Sequence, residues 1–119
     1  MYIKKDQNRV TNKVVRQLKE YFTGKRRKFD LPIKFVGTSF QKKVWNELLK
    51  IQYGDTISYK QQAVNIRQPG AVRAVGSSNG RNRFSIVVPC HRVIANNGSL
   101  GGYAGGLRTK RLLLDLEKG

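Results

Sequence analysis

Apolar positions first recur at helical spacing: Val14, Val15, Leu18, Tyr21 and Phe22 predict a helix over 12–22, which Gly24 is placed to end. Phe29-Asp30-Leu31-Pro32-Ile33 breaks that period with a proline and predicts an extended linker. Thr38-Ser39-Phe40-Gln41 has the form of a capping box, and Phe40, Val44, Trp45, Leu48 and Leu49 mark one face of the helix it opens. Tyr53-Gly54-Asp55-Thr56 is turn chemistry. Ser58-Tyr59-Lys60-Gln61 is a second capping box and predicts a short helix ending near Ile66. Pro69 suits the first position of a further helix to Ser78, closed by Asn79-Gly80. The period then changes, and Phe84-Ser85-Ile86-Val87-Val88 predicts a short strand running into Pro89-Cys90-His91-Arg92. Asn96-Asn97-Gly98 signals a hairpin turn returning through Ser99 and Leu100. A glycine-rich stretch follows, Gly101-Gly102-Tyr103-Ala104-Gly105-Gly106. Leu107, Leu113, Leu114 and Leu116 then predict an amphipathic C-terminal helix against the core.

Two short helices joined by a tight connection suggest a helix-turn-helix in a mainly α, winged-helix-like domain, with a small β element leading to Cys90. The second of these helices is thin. Gly70, Ala71, Ala74, Gly76, Ser77 and Ser78 are small, and Arg73 is its only charge. Glycine inside a helix costs about 1 kcal/mol relative to alanine, so either tight helix packing or a close-approaching nucleic-acid groove must account for it.

The charge sharpens this picture. The 119 residues carry 24 Lys+Arg against 7 Asp+Glu, a net +17 for one small domain. The excess is not a tail effect, since every quarter of the chain is positive, and from Thr56 to Leu114 there are nine bases and no acid. Such a field fits a polyanion, nucleic acid foremost. The basic run Lys25-Arg26-Arg27-Lys28 beside Gly24 reads as a loop. A membrane surface would call for a long basic amphipathic helix with an aromatic face, and none stands out; no membrane partner is expected. One Cys excludes an internal disulfide, zinc spacings are absent, and the basic N-terminus is followed by no apolar run, so a reducing setting is expected, the cytoplasm or, in a eukaryote, the nucleus.

The only Cys and the only His are adjacent, Cys90-His91. A lone Cys is ordinarily a buried structural residue. Here a proline precedes it, cations flank it in a way that favours thiolate, and a glycine-rich loop follows, which points to a nucleophile. An ordinary thiol is only a few per cent thiolate at neutral pH, so it needs a base or a positive field, and His91 is the only imidazole. Neighbours in an extended segment point to opposite faces, so either the chain bends here or water relays the proton. Glu117 is a candidate to orient His91, against the alternative of a solvated helix-end carboxylate.

Val88-Pro89-Cys90-His91-Arg92-Val93-Ile94 followed by Gly101-Gly102-Tyr103-Ala104-Gly105-Gly106-Leu107 closely resembles the active-site signature of the O6-alkylguanine-DNA alkyltransferases, the methylated-DNA–protein-cysteine methyltransferases. The resemblance continues upstream through Gly37-Thr38, Phe40-Gln41, Val44-Trp45, Tyr53-Gly54, Thr56, Ser58-Tyr59, Ala63, Pro69, Ala71 and Arg73-Ala74-Val75-Gly76. It extends downstream to Lys110, Leu113-Leu114 and Glu117, so residues 17–117 are covered. It implies that Cys90 accepts the alkyl group, that His91 deprotonates it through a bridging water and that Glu117 orients the imidazole. Asn82 positions the turn, and Tyr59 handles the target nucleotide's phosphate and donates a proton to the leaving guanine. Arg73 enters the duplex through the minor groove. Ala74, Gly76, Ser77 and Arg92 complete the expected DNA-contacting set. Tyr103 and Ala104 wall the base pocket, and the Val93 carbonyl reads the guanine edge.

The implied activity is irreversible, single-turnover repair of O6-alkylguanine in double-stranded DNA by a monomer, with no metal or organic cofactor. The family usually has proline at Gln52, glycine at Arg67 and proline at Arg83. Many members also carry an N-terminal α/β domain. Residues 1–33 are expected to be its final helix and linker, and 34–119 the DNA-binding, alkyl-acceptor domain. The rival readings are a non-catalytic alkylated-DNA binder or helix-turn-helix regulator, and a thiol hydrolase built on Cys90 and His91.

Overall fold

A computed structural model describes residues 7–103 and 105–119. The chain divides into two compact units, one ending at Lys34 and one spanning Phe35–Gly119. In the first, helix α1 covers Gln7–Phe22. It begins five residues before the expected start because its first turns are polar, leaving only Val10 to extend the apolar period. Its C-terminus is a Schellman motif: Lys25 N donates to Glu20 O (2.8 Å) and Gly24 N to Tyr21 O (3.1 Å), with Gly24 at φ +78°. Buried Tyr21 stacks edge-on against Phe22 and tilts against Phe29 at 5.5 Å. The Gln17 amide donates to Asp30 O and accepts from Asp30 N, both at 2.9 Å, pinning the extended segment.

The second unit has helices α2 (Ser39–Leu48), α3 (Tyr59–Asn65), α4 (Val72–Gly80) and α5 (Leu107–Lys118). Two short strands, β1 (Ile57–Ser58) and β2 (Val93–Ile94), pair in parallel with Ile57 opposite Val93. The Thr38 capping box forms in full, side chain to Gln41 N and Gln41 side chain to Thr38 N. At Ser58 only half the box forms, because the Gln61 amide turns to Asn65 Oδ1 at 2.7 Å instead of reaching back.

The helix-turn-helix is α3 and α4, and α2 packs across it. A reciprocal amide pair, Gln62 with Asn79 at 2.8 and 3.1 Å, is buried between α3 and α4, and Gln62 Nε2 also donates to Val44 O at 3.2 Å. Trp45 Nε1 donates to Ser78 O at 2.8 Å, so the large indole is buried with its one polar atom satisfied. Val44, Leu48, Ala63, Val75, Val88, Val93, Leu113 and Leu114 fill the core. Among the described residues no helix is long and apolar enough to cross a membrane.

Four local expectations are corrected. Helix α4 starts at Val72, not Pro69: Ala71 N donates to Gln68 O at 2.9 Å, which makes Pro69-Gly70 the centre of a turn before the helix. The helix then runs through Asn79-Gly80 rather than stopping before them. Phe84–Val88 is not a strand. Asn82 Oδ1 accepts from Phe84 N (2.9 Å) while its Nδ2 donates to Val88 O (2.8 Å), Val88 N bonds Phe84 O (2.8 Å), and Ile86 sits at φ +76°. The side-chain clamp outcompetes the β-branched preference for extended backbone. Leu49 and Leu107, expected on core faces, are exposed at the ends of their helices.

Candidate active site

Cys90 opens a single 3-10 turn, Cys90–Arg92, directly after Pro89. Cys90 N bonds Val88 O at 2.8 Å and Arg92 N bonds Pro89 O at 3.0 Å, so the chain bends here. The Asn82 clamp holds the approach to this turn.

His91 is fully buried. Its Nε2 lies 2.7 Å from Glu117 Oε2, and because a carboxylate only accepts, Nε2 carries a proton, so in the neutral imidazole the lone pair is on Nδ1. That Nδ1 is buried with no protein partner. Glu117, on α5, also receives a bidentate guanidinium: Arg92 Nε to Oε1 at 2.8 Å and Nη2 to Oε2 at 3.0 Å. Arg92 Nη1 donates to Ile51 O at 2.7 Å. Arg92 was expected to contact DNA, but it is only 5% exposed and its guanidinium faces inward, bonded to Glu117 and Ile51. It compensates a buried carboxylate that would otherwise be costly to hold. Lys110 is buried as well, so of the nine bases in the acid-free stretch seven are exposed.

Burial pushes the Cys90 thiol up, and hydrogen bonds from Asn82 and Ser85 and the charge of Lys110 oppose that rise. The helping cation is therefore Lys110, not the sequence neighbours. Its Nζ donates to Val93 O at 2.6 Å, to Gly102 O at 3.0 Å, to Leu100 O, and to Tyr59 Oη at 3.4 Å. Burial lowers this amine to about 8, an effect partly offset by Cys90. Lys110 thus ties β2, the glycine-rich loop and α3 to one point beside the sulfur. The Val93 carbonyl, expected to read a base edge, already accepts from Lys110 and has one lone pair left.

Tyr59 is the first residue of α3, and its hydroxyl donates to Gly102 O at 3.2 Å. Burial raises it, as does the charge of Cys90, so it stays protonated at neutral pH. Gly101 makes this fit possible: it sits at φ +69°, and a Cβ there would lie 2.8 Å from the Tyr59 ring. Tyr103 is half-buried and likewise raised, by burial first and Cys90 second. Ala104 lies outside the described residues.

On α4 one face is buried through Val75, Ser78 and Asn79, and the opposite face presents Arg73, Ala74 and Ser77 to solvent. Gly76 is half-buried, and a Cβ there would meet the Tyr59 ring at an ordinary contact distance of 3.9 Å. The structure thus gathers Cys90, His91, Glu117, Asn82, Tyr59 and Tyr103 around one turn and leaves Arg73, Ala74 and Ser77 on a separate exposed helix face. Sequence reasoning assigned no role to Lys110 or Ser85. Lys110 had a signal: Lys110, Leu113, Leu114 and Glu117 repeat at i, i+3, i+4, i+7 and are all buried, so two charges occupy core positions of α5. Among the described residues no three His, Cys, Asp or Glu side chains cluster to hold a metal ion.

A family model described as 6-O-methylguanine DNA methyltransferase, DNA binding domain, matches residues 39–119. One described as the ribonuclease-like domain of 6-O-methylguanine DNA methyltransferase matches residues 4–35. The chain is 54% identical over 102 residues to an inducible methylated-DNA–protein-cysteine methyltransferase of Bacillus subtilis, covering 86% of this chain and 57% of that protein. It is 53% identical over 103 residues to a methylated-DNA–protein-cysteine methyltransferase of Methanosarcina barkeri, covering 87% of this chain and 65% of that one. It therefore spans roughly three-fifths of the length of these relatives. A crystal structure of Mycobacterium tuberculosis OGT in complex with DNA superposes with a TM-score of 0.88 at 51% identity, over 90% of this chain and 66% of that chain.

Proposed function

Because the chain belongs to the 6-O-methylguanine DNA methyltransferase family, we propose that it repairs O6-alkylguanine in double-stranded DNA by moving the alkyl group to Cys90. The observation that carries this is the buried Cys90-His91-Glu117-Arg92 arrangement with His91 Nδ1 buried and left without a protein partner. The thiol proton passes through a water to Nδ1, and the imidazolium formed is stabilised by Glu117, whose own charge Arg92 balances. The thiolate attacks the alkyl carbon, a C–S bond forms, and the C–O6 bond breaks with its electron pair leaving on guanine. Tyr59, kept protonated by burial, supplies the proton the leaving base takes up. Lys110 stabilises the thiolate and fixes the loop that walls the pocket. A thioether is not reopened by thiol exchange, so each molecule acts once.

A base inside a duplex is reached only by extruding it, at a cost of a few kcal/mol. The exposed face of α4 is suited to this. Ala74 and Ser77 let backbone approach the minor groove closely, and Arg73 is the one long side chain positioned to enter the stack. Residues 1–33 are read as the end of the family's N-terminal domain, and 34–119 as the domain that binds DNA and accepts the alkyl group. The catalytic reading is favoured over a pure lesion binder by Cys90 itself, since a binder needs no nucleophile.

The test is the intact mass of the protein after incubation with duplex carrying O6-methylguanine. A gain of one methylene on the Cys90 peptide, at one per protein, is expected. Retained DNA binding with no adduct would establish the lesion binder, and repeated turnover of an ester would establish the hydrolase.

A further inference from the structure

A groove of about 550 Å³ runs between α2 and the C-terminal end of α3, and the site described above uses none of it. Lys42, Lys43 and Asn46 line it from α2, Lys50 from the turn that follows, and Asn65 and Arg67 from the end of α3. Its one carboxylate, Glu47, is engaged by Lys50 at 3.1 Å. Among the described residues Lys42, Lys43 and Arg67 form no ion pair, and all three are exposed.

Arg67 makes this more than a solvated helix face. Helix α3 ends in the same Schellman geometry as α1, with Gln68 N on Ala63 O (2.9 Å) and Arg67 N on Val64 O (2.9 Å). In α1 the left-handed position is Gly24; in α3 it is Arg67, at φ +63°. A non-glycine residue there is strained by about 1 kcal/mol, and retained strain of this kind points to a use for the side chain. That side chain lines the groove.

We propose that this groove is a second contact surface for the phosphodiester backbone of DNA, separate from the face of α4. From Lys42 to the end of α2 at Leu48 is six residues of helix, about 9 Å, along which one DNA strand presents roughly two to three phosphates. Asn46 and Asn65 supply neutral donors between the cations, which suits phosphate oxygens better than a carboxylate-rich protein partner. Arg67 sits in the turn that leads into α4, so the groove adjoins the helix proposed to face the lesion. Because Arg67 leads directly into α4, the backbone is that of the same duplex, flanking the base that α4 faces.

This inference rests on the DNA reading above, and the experiment separates the two. Binding of unmodified duplexes of about one and about three helical turns is titrated against salt for the full chain, Lys43→Ala, Arg67→Gly and the double variant. Each variant is expected to weaken binding about three- to tenfold and flatten the log–log salt slope by about 0.9 per lost contact, with Lys43→Arg restoring it. Thermal unfolding confirms that the variants are folded. A defect confined to the long duplex assigns the groove to the flank of the same DNA. Loss of energy transfer between two differently labelled short duplexes, seen with the parent chain, assigns it to a second and overturns the same-duplex placement. Variants that match the parent in affinity, slope and bridging overturn the groove proposal alone. A parent chain with no salt-dependent binding to either duplex overturns the DNA reading and the groove with it.

Discussion

The turn around Cys90 and the exposed face of α4 divide the molecule's charge in opposite ways. At the turn, Arg92, Lys110 and Glu117 are buried, and each spends its hydrogen-bonding capacity on a named partner: Arg92 on Glu117 and Ile51, Lys110 on Val93, Leu100, Gly102 and Tyr59, Glu117 on His91 and Arg92. On α4 a single cation, Arg73, stands among small residues with no such network. The lesson is that net charge is a poor guide to what a cation does. Two of the bases that make the acid-free stretch look like a polyanion surface are internal and on the proposed mechanism serve the chemistry, while the exposed ones remain free to meet a polyanion.

If that division holds, the two regions should fail independently. Cys90→Ser carries the largest effect: methyl transfer falls to background while duplex affinity stays within about twofold, because phosphate contacts dominate binding. A fall in affinity as steep as the fall in transfer would erase the distinction. Glu117→Ala comes next, stranding His91 and Arg92 in the interior. Removing one partner of a buried pair costs about 3–5 kcal/mol, read as a lowered denaturant midpoint. Glu117→Gln keeps the shape and slows transfer, since the imidazolium loses its counter-charge.

Gly101→Ala sharpens the comparison inside the buried region, because its Cβ would press on the Tyr59 ring. Single-turnover transfer should slow about tenfold or more with salt-dependent binding unchanged, as misplacement of a proton donor by an ångström predicts. Lys110→Met should move the pH midpoint of Cys90 modification by iodoacetamide upward, because the charge that opposes the burial of the thiol is gone. It should also alter stability in a defined window. Lys110 is lowered to about 8 when folded from 10.5, so between those values the unfolded chain holds a proton that the folded chain has released. The parent therefore gains stability relative to Lys110→Met as pH rises through about 8, and a difference flat in pH would refute the coupling. The smallest effect is Arg67→Gly, which should raise stability by about 0.5–1 kcal/mol by relieving the left-handed strain even as it weakens DNA binding.

Much of this arrangement was legible in the sequence where the determinants are local. The Thr38 capping box, the Gly24 helix end and the Asn97-Gly98 turn depend on residues within a few positions of one another, and each forms. Cys90, His91 and Glu117 were drawn together by motif. What was not legible is what depends on distant partners. Nothing near Arg92 says that it is buried, because the carboxylate that buries it is on α5 and the carbonyl on Ile51. Phe84–Val88 has the composition of a strand, and only the two-ended hydrogen bonding of Asn82 turns it into a loop. Pro69 is compatible with a helix start or the corner of a turn, and the Gln68–Ala71 bond decides for the turn.

The Gln62–Asn79 amide pair has a mechanical consequence. A side chain driven between stacked bases separates them only if its mounting is stiffer than the stack; otherwise the mounting yields. Two buried amide bonds brace α3 against α4, and Gln62 anchors the pair to the backbone of α2, so tilting the probing helix means breaking hydrogen bonds in a place where water cannot replace them. On the proposed reading Arg73 is thus carried on a braced wedge rather than a hinge, and the compliance that base extrusion requires is left to the DNA.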